Sequence, residues 1–229
     1  MSHDPHPKPF IDGGDVYKWT RTLFFVIIAV ASLSIISNYL QLDLLWRAAE
    51  GSISPDEADS NDKRQQLIVY VHIVVFIATA TSFLIWTYRV YSNLKPLGAG
   101  SLRYSAGWAV GAFFVPILNI MRPYQIFDEI WKASDPDAKD GLSWRSLSTS
   151  PYVYQWWAAF ILTTIVQRLL SKWAAGETID ALVKQTWAAI AINGFEVLAA
   201  ILALRLMDNI DFRQRMKFEN MAVSSKIMN

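Results

Sequence analysis

The sequence predicts an all-α integral membrane protein with four transmembrane helices and a broken, re-entrant third hydrophobic segment that leads into an amphipathic helix. Of its 229 residues, 53% are hydrophobic and only 18% are charged, against about 45–50% and about 25% in soluble domains. The apolar residues also collect in segments of about 20 residues, the length that crosses a hydrocarbon core about 30 Å thick. The net charge of +1 gives no basis for nucleic-acid binding.

Three parts of the chain differ in composition. Residues 1–17 are rich in Pro, Gly, His and Asp, lack the pattern of a signal peptide and are expected to form a flexible tail. Residues 18–207 are expected to form a single helical membrane domain. Residues 208–229 are predicted to be a polar, partly basic tail that is helical at its start.

The first crossing segment covers about residues 18–45, and Trp19 and Trp46 bracket it as aromatic residues do at membrane interfaces. A loop at 47–66 contains Gly, Pro and several acids, and we expect a solvated connection there. Ser150-Pro151 is a suitable N-cap and first helical residue for a later segment. The remaining crossing segments are predicted at about residues 67–91, 152–170 and 179–207.

The third hydrophobic segment, WAVGAFFVPILNIMRPYQIFDEIW at 108–131, is the one whose topology is open. Pro116 argues against a continuous helix, because proline removes one hydrogen bond and clashes with the preceding turn. Arg122-Pro123 is expected to restart a helix with a different pattern. Its apolar side holds Ile126, Phe127, Ile130 and Trp131, whereas Gln125, Asp128, Glu129 and Lys132 lie elsewhere. That pattern is typical of an amphipathic helix rather than a spanning one.

The distribution of positive charge favours a segment that dips into the membrane and returns. With four crossings and a cytoplasmic N-terminus, fifteen of the 21 lysines and arginines lie on the cytoplasmic side, where they are enriched. The alternative, five transmembrane helices, places only nine there. A dipping segment must be wrapped by protein, because lipid cannot satisfy its free backbone groups. Gly107 and Gly111 form a G-x-x-x-G pair beside Pro116 that would let another helix approach closely.

Several short motifs in this region occur together: Asn93-Leu94, Leu97-Gly98, W-A-V-G at 108–111, Val115-Pro116 with Asn119, R-P-Y-Q at 122–125 and Glu129-Ile130-Trp131. This combination resembles the bacterial membrane family called domain of unknown function 4328, over about residues 67–207. The resemblance implies a multi-pass bacterial membrane protein and carries no particular activity with it.

Glu196 is the most informative candidate for a functional residue. It lies near the middle of the last crossing segment, where an unpartnered carboxylate is costly and marks a functional site by default. Helical spacing places it on a small and polar stripe with Ala189, Asn193, Ala200 and Ala203. A transport or ligand role and a purely structural pair both remain open.

Arg122 is the expected partner of Glu196, because its planar guanidinium suits a carboxylate. Asn119, Tyr124 and Gln125 could add hydrogen bonds. The alternative for Arg122 is a lipid phosphate at the interface. If the pair does not form, Glu196 needs His72, Asn193 or a neighbouring subunit.

His72 lies in the second crossing segment and is expected to be a packing residue more often than a ligand. Asp128 and Glu129 are adjacent, so their side chains diverge on a helix, and we expect no paired carboxylates there. The sequence has no cysteine and no catalytic or metal motif. We therefore predict no catalytic residues, no metal site and no cofactor; the sequence favours a non-enzymatic role but leaves enzyme activity open.

Three functions fit these features. The first is a non-catalytic accessory or scaffold subunit that packs against a larger membrane complex. The second is a small oligomeric channel or transporter built around the re-entrant segment and Glu196, and the third is a lipid-acting membrane enzyme. The expected partners are the lipid bilayer and a protein partner or second copy, with no nucleic acid. The expected location is the bacterial cytoplasmic (inner) membrane, with both termini in the cytoplasm.

Overall fold

The computed structural model describes residues 9–138 and 141–228, and within them the regular structure is helical with no strand. Six α-helices occur in this part of the chain, with 3₁₀ turns at Ala112–Phe114 and Ser143–Ser146. The α-helices are α1 (Gly14–Ala49), α2 (Pro55–Ser92), α3 (Ala106–Gly111), α4 (Leu118–Ala133), α5 (Pro151–Trp173) and α6 (Ile179–Met228).

Three of the helices described, α1, α2 and α6, are long and apolar enough to cross a membrane. This confirms a membrane-type, all-helical fold but not the predicted number of crossings. The fourth predicted segment is α5, which has 23 residues and is not among the three. Its first two turns are rich in Tyr, Gln and Trp, which favour the membrane interface over the hydrocarbon core.

Two helices extend further than the hydrophobic segments predict. α2 begins at Pro55, so much of the predicted loop at 47–66 is helical. The reason is a capping box: the Ser54 hydroxyl accepts from the Glu57 N–H, and Glu57 accepts from the Ser54 N–H (3.0 Å). α6 passes residue 207 without a break and has 50 residues, about 75 Å at 1.5 Å per residue.

Part of the expected N-terminal tail contacts the rest of unit 1. Its residues 1–8 lie outside the described part of the chain. Ile11 is held by Asn93, which accepts from the Ile11 N–H (3.2 Å) and donates to its carbonyl (2.9 Å). α1 then begins at Gly14, four residues before the predicted membrane domain.

The third hydrophobic segment is broken, as Pro116 predicts. Helix α3 and its 3₁₀ turn end at Val115, whose backbone is extended (φ −99°, ψ 112°), and α4 follows. The second helix begins at Leu118 and not at Arg122-Pro123, so Pro123 lies inside it. Proline has no N–H to donate to the carbonyl four residues earlier, and α4 therefore lacks one helical hydrogen bond near its start.

The chain divides into two compact units. Unit 1 contains the described parts of Met1–Arg21, Thr81–Trp157 and Ala203–Asn229, and unit 2 contains Thr22–Ala80 and Ala158–Leu202. The core of unit 1 is aromatic: Phe127 stacks on Phe83 (ring centroids 5.8 Å apart) and lies 4.5 Å from Trp156. Trp86 and Phe127 are fully buried there, so this core holds α2, α4 and α5 together.

Candidate functional site

In unit 2, Glu196 is paired with His72. The Nε2 atom of His72 lies 3.0 Å from Oε1 and 2.9 Å from Oε2 of Glu196. The side chain of His72 is 26% exposed and that of Glu196 is 20% exposed, so the pair is only partly covered by its own chain. An imidazole carrying hydrogen on Nε2 can donate to either carboxylate oxygen, and such a pair can also hold or pass a proton.

The small and polar stripe that the sequence places around Glu196 faces inward in part. Asn193 is buried, and its side chain donates to the Ala189 carbonyl one turn earlier (2.8 Å). Asn193 is therefore satisfied within its own helix. Its hydrogen bond is not directed to Glu196, which leaves His72 as the partner of that carboxylate in the described residues.

In unit 1, Arg122 lies beside Tyr104 and Gln125. Arg122 donates to the Tyr104 hydroxyl (2.6 Å) and to Oε1 of Gln125 (3.2 Å), and the Tyr104 hydroxyl donates to the same Oε1 (2.7 Å). Arg122 and Glu196, which were expected to pair, each have hydrogen-bond partners within their own unit. Sequence spacing gave the right residue types but could not say which of them meet.

The other residues predicted near Arg122 have separate roles. Tyr124 packs on Trp157 (ring centroids 5.3 Å apart) and does not hydrogen-bond to Arg122. Oδ1 of Asn119 is buried and has no hydrogen-bond partner in the described structure. A Cβ added at Gly107 or Gly111 would meet only atoms of the same segment within 4 Å, so the close approach of another helix at these glycines stays a prediction.

Glu129 is the residue that the sequence reasoning missed. It is only 2% exposed, although its position beside Asp128 suggested a polar surface. Its carboxylate accepts from the Tyr91 hydroxyl (2.6 Å) and from the Arg103 backbone N–H (2.7 Å). The Tyr91 hydroxyl in turn accepts from the Tyr104 N–H (3.0 Å). Glu129, which lies on α4, therefore links this helix to α2 and to the loop before α3.

Two signals in the sequence could have identified Glu129. It lies three residues after Ile126 and four before Ala133, both of which are buried, so it shares the buried face of α4. It is also part of the Glu-x-Trp motif in the family resemblance. Because Glu129 is charged, the sequence interpretation placed it away from the apolar side of the helix.

The C-terminal part of α6 contributes a second buried polar group that was not predicted. Gln214 donates to the Val90 carbonyl (2.9 Å) and the Ser134 hydroxyl (3.0 Å), and accepts from Asn93 (3.3 Å). Lys217 is buried and donates to the Ala133 carbonyl (2.8 Å). Gln214 and Lys217, which were expected to lie in a polar tail, thus donate to backbone carbonyls near the C-terminal ends of α2 and α4.

A small cavity of about 30 Å³ lies beside Glu129, with room for a water molecule or two. It is lined by Arg103, Gln125, Asp128, Glu129, Lys132, Trp144 and Arg145. In residues 9–138 and 141–228, no three His, Asp or Glu side chains come together in a group that could hold a metal ion. The arginine, lysine and glutamine side chains of this lining can donate hydrogen bonds to water or to an anion.

Comparisons with known proteins agree with the motif resemblance. A family model described as domain of unknown function (DUF4328) matches residues 49–211, which includes the stretch at 52–62 that the motifs alone did not reach. Neither the curated proteins nor the solved structures gave a match. Because the matched region covers well over half of the sequence and contains both Glu129 and Glu196, the chain belongs to the domain of unknown function 4328 family.

Proposed function

We propose that this chain is a non-catalytic, multi-pass membrane protein that acts as an accessory or scaffold subunit and packs against a larger membrane complex. In this proposal α1, α2, α5 and α6 cross the bilayer. The segment from α3 to the end of α4, here called the hairpin (residues 105–133), enters and leaves by the same face. Both termini lie on the cytoplasmic side of a bacterial inner membrane.

The contact between the two ends of the hairpin supports this topology. The loop before it and the loop after it meet where the Gly100 N–H donates to the Gly141 carbonyl (2.7 Å) and the Trp144 indole donates to the Gly100 carbonyl (3.2 Å). Tyr104 and Arg122 also meet at 2.6 Å. A crossing segment would hold its ends about 30 Å apart, so hydrogen bonds between the two loops favour a segment that returns.

The length of α4 suits a dip to mid-membrane depth. From Leu118 to Glu129 the helix rises about 16 Å at 1.5 Å per residue, about half of a 30 Å hydrocarbon core. At the turn, Phe114 is 71% and Ile117 81% exposed. The expected wrapping of the dip by protein therefore does not cover these side chains, and they are free to contact acyl chains.

The packing role is supported by the partly covered His72–Glu196 pair. Only 11% of the most apolar window of α2 is buried inside the chain, against 33% for α1 and 28% for α6. Polar groups in hydrocarbon are costly unless they are paired or shielded. A neighbouring helix with a side chain that hydrogen-bonds would shield the pair. We therefore propose that a helix of a partner membrane protein packs against α2 beside His72.

The topology can be tested by labelling single cysteines, because the chain has none of its own. Ser101→Cys and Asp137→Cys probe the loops on either side of the hairpin, and Glu177→Cys probes the loop after α5; the Lys139 position also suits this test but lies outside the described residues. An impermeant reagent added from outside should label only Glu177→Cys. Labelling of Asp137→Cys without Glu177→Cys would establish five crossings instead.

The partner can be tested by purification from native membranes in a mild detergent. A second membrane protein should be retained at fixed stoichiometry, and Val69→Trp, next to His72 on α2, should release it by steric conflict. Leu33→Trp on α1 is the matched control, because both residues are exposed and apolar. Equal retention by both variants, or no retained protein in the wild type, would contradict the accessory role.

A small oligomeric channel or transporter is the second candidate, because His72 and Glu196 form a titratable pair in an apolar region. Such pairs occur in proton pathways. Flux in liposomes that contain the purified chain should then fall on Glu196→Gln and on His72→Gln, but not on the exposed control Glu177→Gln. Flux that is absent, or unchanged in both variants, would remove this function.

A further inference from the structure

The small cavity in unit 1 is lined by more positive than negative side chains: Arg103, Lys132 and Arg145 against Asp128 and Glu129. Lys132 pairs with Asp128 (2.9 Å), and the Glu129 carboxylate is buried and held by its two donors. Arg103 and Arg145 remain at the mouth, and both are exposed. The carboxylates that line this cavity are thus already engaged, whereas two arginines face outward.

Both arginines have donors available for a ligand. The Arg103 guanidinium makes no hydrogen bond or ion pair with any described residue, although its backbone N–H is bound to Glu129. Arg145 donates to the Ser101 carbonyl and lies over the Trp144 ring, 5.4 Å from its centroid. This stacking holds the planar guanidinium in place, and its remaining N–H groups can bind phosphate oxygens.

An exposed apolar surface lies next to this charge, on the hairpin. Trp108 on α3 is exposed, as are Phe114, Ile117 and Met121 further along. Arginine and tryptophan are residues typical of the headgroup level of a bilayer, and the apolar side chains suit its interior. The loops beside the hairpin therefore offer a cationic site for a phospholipid headgroup. The hairpin itself offers an apolar surface for the acyl chains.

We infer that Arg103 and Arg145 bind the phosphate of an anionic phospholipid whose acyl chains lie along the exposed side of the hairpin. The cavity itself is too small for a phosphate group, so the anion is bound at its mouth, where a lipid headgroup can reach. The adjacent apolar surface favours a lipid over free phosphate. The inference rests on the proposed entry of the hairpin into the bilayer but not on the accessory role.

The test is lipid retention by the full-length chain, measured by native mass spectrometry after reconstitution with equal amounts of phosphatidylglycerol and phosphatidylcholine. Wild type should retain phosphatidylglycerol preferentially. Arg103→Gln, and the double variant with Arg145→Gln, should lose that preference by about fivefold for each arginine removed. Arg168→Gln is the matched control, because it removes another exposed arginine, on α5, and should change nothing.

The possible outcomes distinguish a bound lipid phosphate from bound inorganic phosphate. Retention that survives 10-fold excess inorganic phosphate supports the lipid, whereas displacement by inorganic phosphate would show a site for a free anion and overturn the proposal. Equal losses in Arg103→Gln and Arg168→Gln would show non-specific attraction and overturn it as well. Because the Arg103 side chain makes no hydrogen bond or ion pair with a residue in the described part of the chain, the single variant keeps the test valid if the double variant does not fold. The cysteine labelling tests the topology independently.

Discussion

Glu129 in unit 1 and Glu196 in unit 2 are both carboxylates on helices, but the fold stabilises their negative charges in different ways. Glu129 is almost fully buried and accepts from two donors, a phenol and a backbone N–H, that come from different elements. Glu196 is partly exposed and has one partner, His72. The first carboxylate is saturated by the fold, and the second is not.

This difference separates a structural role from a functional one. A buried carboxylate whose hydrogen bonds join three elements stabilises their arrangement, and removing it leaves buried donors unpaired. A carboxylate with a single, partly exposed partner can exchange that partner for a ligand, a proton or a neighbouring helix. Variants in the two regions should therefore differ first in stability and then in association or flux.

The largest effect is expected for Glu129→Ala. The substitution removes the charged acceptor of the Tyr91 hydroxyl, which then has only the Tyr104 carbonyl (3.0 Å), and it leaves the Arg103 N–H unpaired in a part-buried site. Hydrogen bonds to charged groups contribute about 1.5–3 kcal/mol each, so the loss of both should lower the free energy of unfolding by about 3 kcal/mol. Thermal unfolding in detergent measures the change.

The matched control is Glu219→Ala, which removes an exposed carboxylate from α6 in the same unit. Its effect should be within about 0.5 kcal/mol. Similar stability of the two variants would show that the Glu129 contacts do not hold α2 and α4 together, and the contrast with Glu196 would lose its basis.

Part of this fold can be read from local sequence signals. Proline and capping residues act over a few positions, so the break at Pro116 and the start of α5 after Ser150, whose hydroxyl accepts from the Tyr152 N–H (3.1 Å), were predictable. Hydropathy likewise located α1, α2 and α6. The start of α2 was not predicted because the Gly, Pro and acidic residues at 47–66 were interpreted as a solvated loop; the Ser54–Glu57 capping box is the local signal for it.

The candidate site was harder to predict because its contacts join residues far apart in the sequence. Glu129 and Tyr91 are 38 positions apart, and His72 and Glu196 are 124 apart. Periodicity gives the face on which a residue lies but not which face packs against it. Spacing therefore did not identify Tyr104 as a partner of Arg122, and Lys217 was placed in a tail although it donates to a carbonyl of α4.

An intermediate effect is expected for Gly100→Ala, which tests whether the ends of the hairpin must meet. A Cβ at this position would lie 2.9 Å from the Gly141 carbonyl oxygen, a contact with backbone that cannot move aside easily. Such overpacking typically costs about 1–3 kcal/mol. We expect a loss of about 2 kcal/mol in thermal unfolding, confined to unit 1.

Gly107→Ala is the control for this substitution. A Cβ there meets nothing closer than 3.9 Å, and alanine favours a helix over glycine by about 1 kcal/mol, so the variant should be at least as stable as wild type. If Gly100→Ala were equally stable, the two loops would not be held together by this contact, and the support for a returning hairpin would weaken.

The smallest effect is expected for the His72–Glu196 pair, measured by a double-mutant cycle. His72→Leu leaves the carboxylate of Glu196 unpaired in an apolar region, and Glu196→Leu leaves the imidazole unpaired, so each should lower stability in detergent. The double variant removes both polar groups and should recover part of the loss. The coupling should be about 1 kcal/mol, because both side chains are partly exposed.

The same cycle distinguishes a structural pair from a functional one. Coupling well above 3 kcal/mol would place His72–Glu196 in the same class as the Glu129 contacts, as a pair that the fold requires. Additive losses would mean that the two side chains do not interact in the folded protein, and the shielding argument for a partner helix would fail. Coupling of about 1 kcal/mol together with lost partner retention in the double variant would support the accessory role, because stability would then be nearly kept while association is lost.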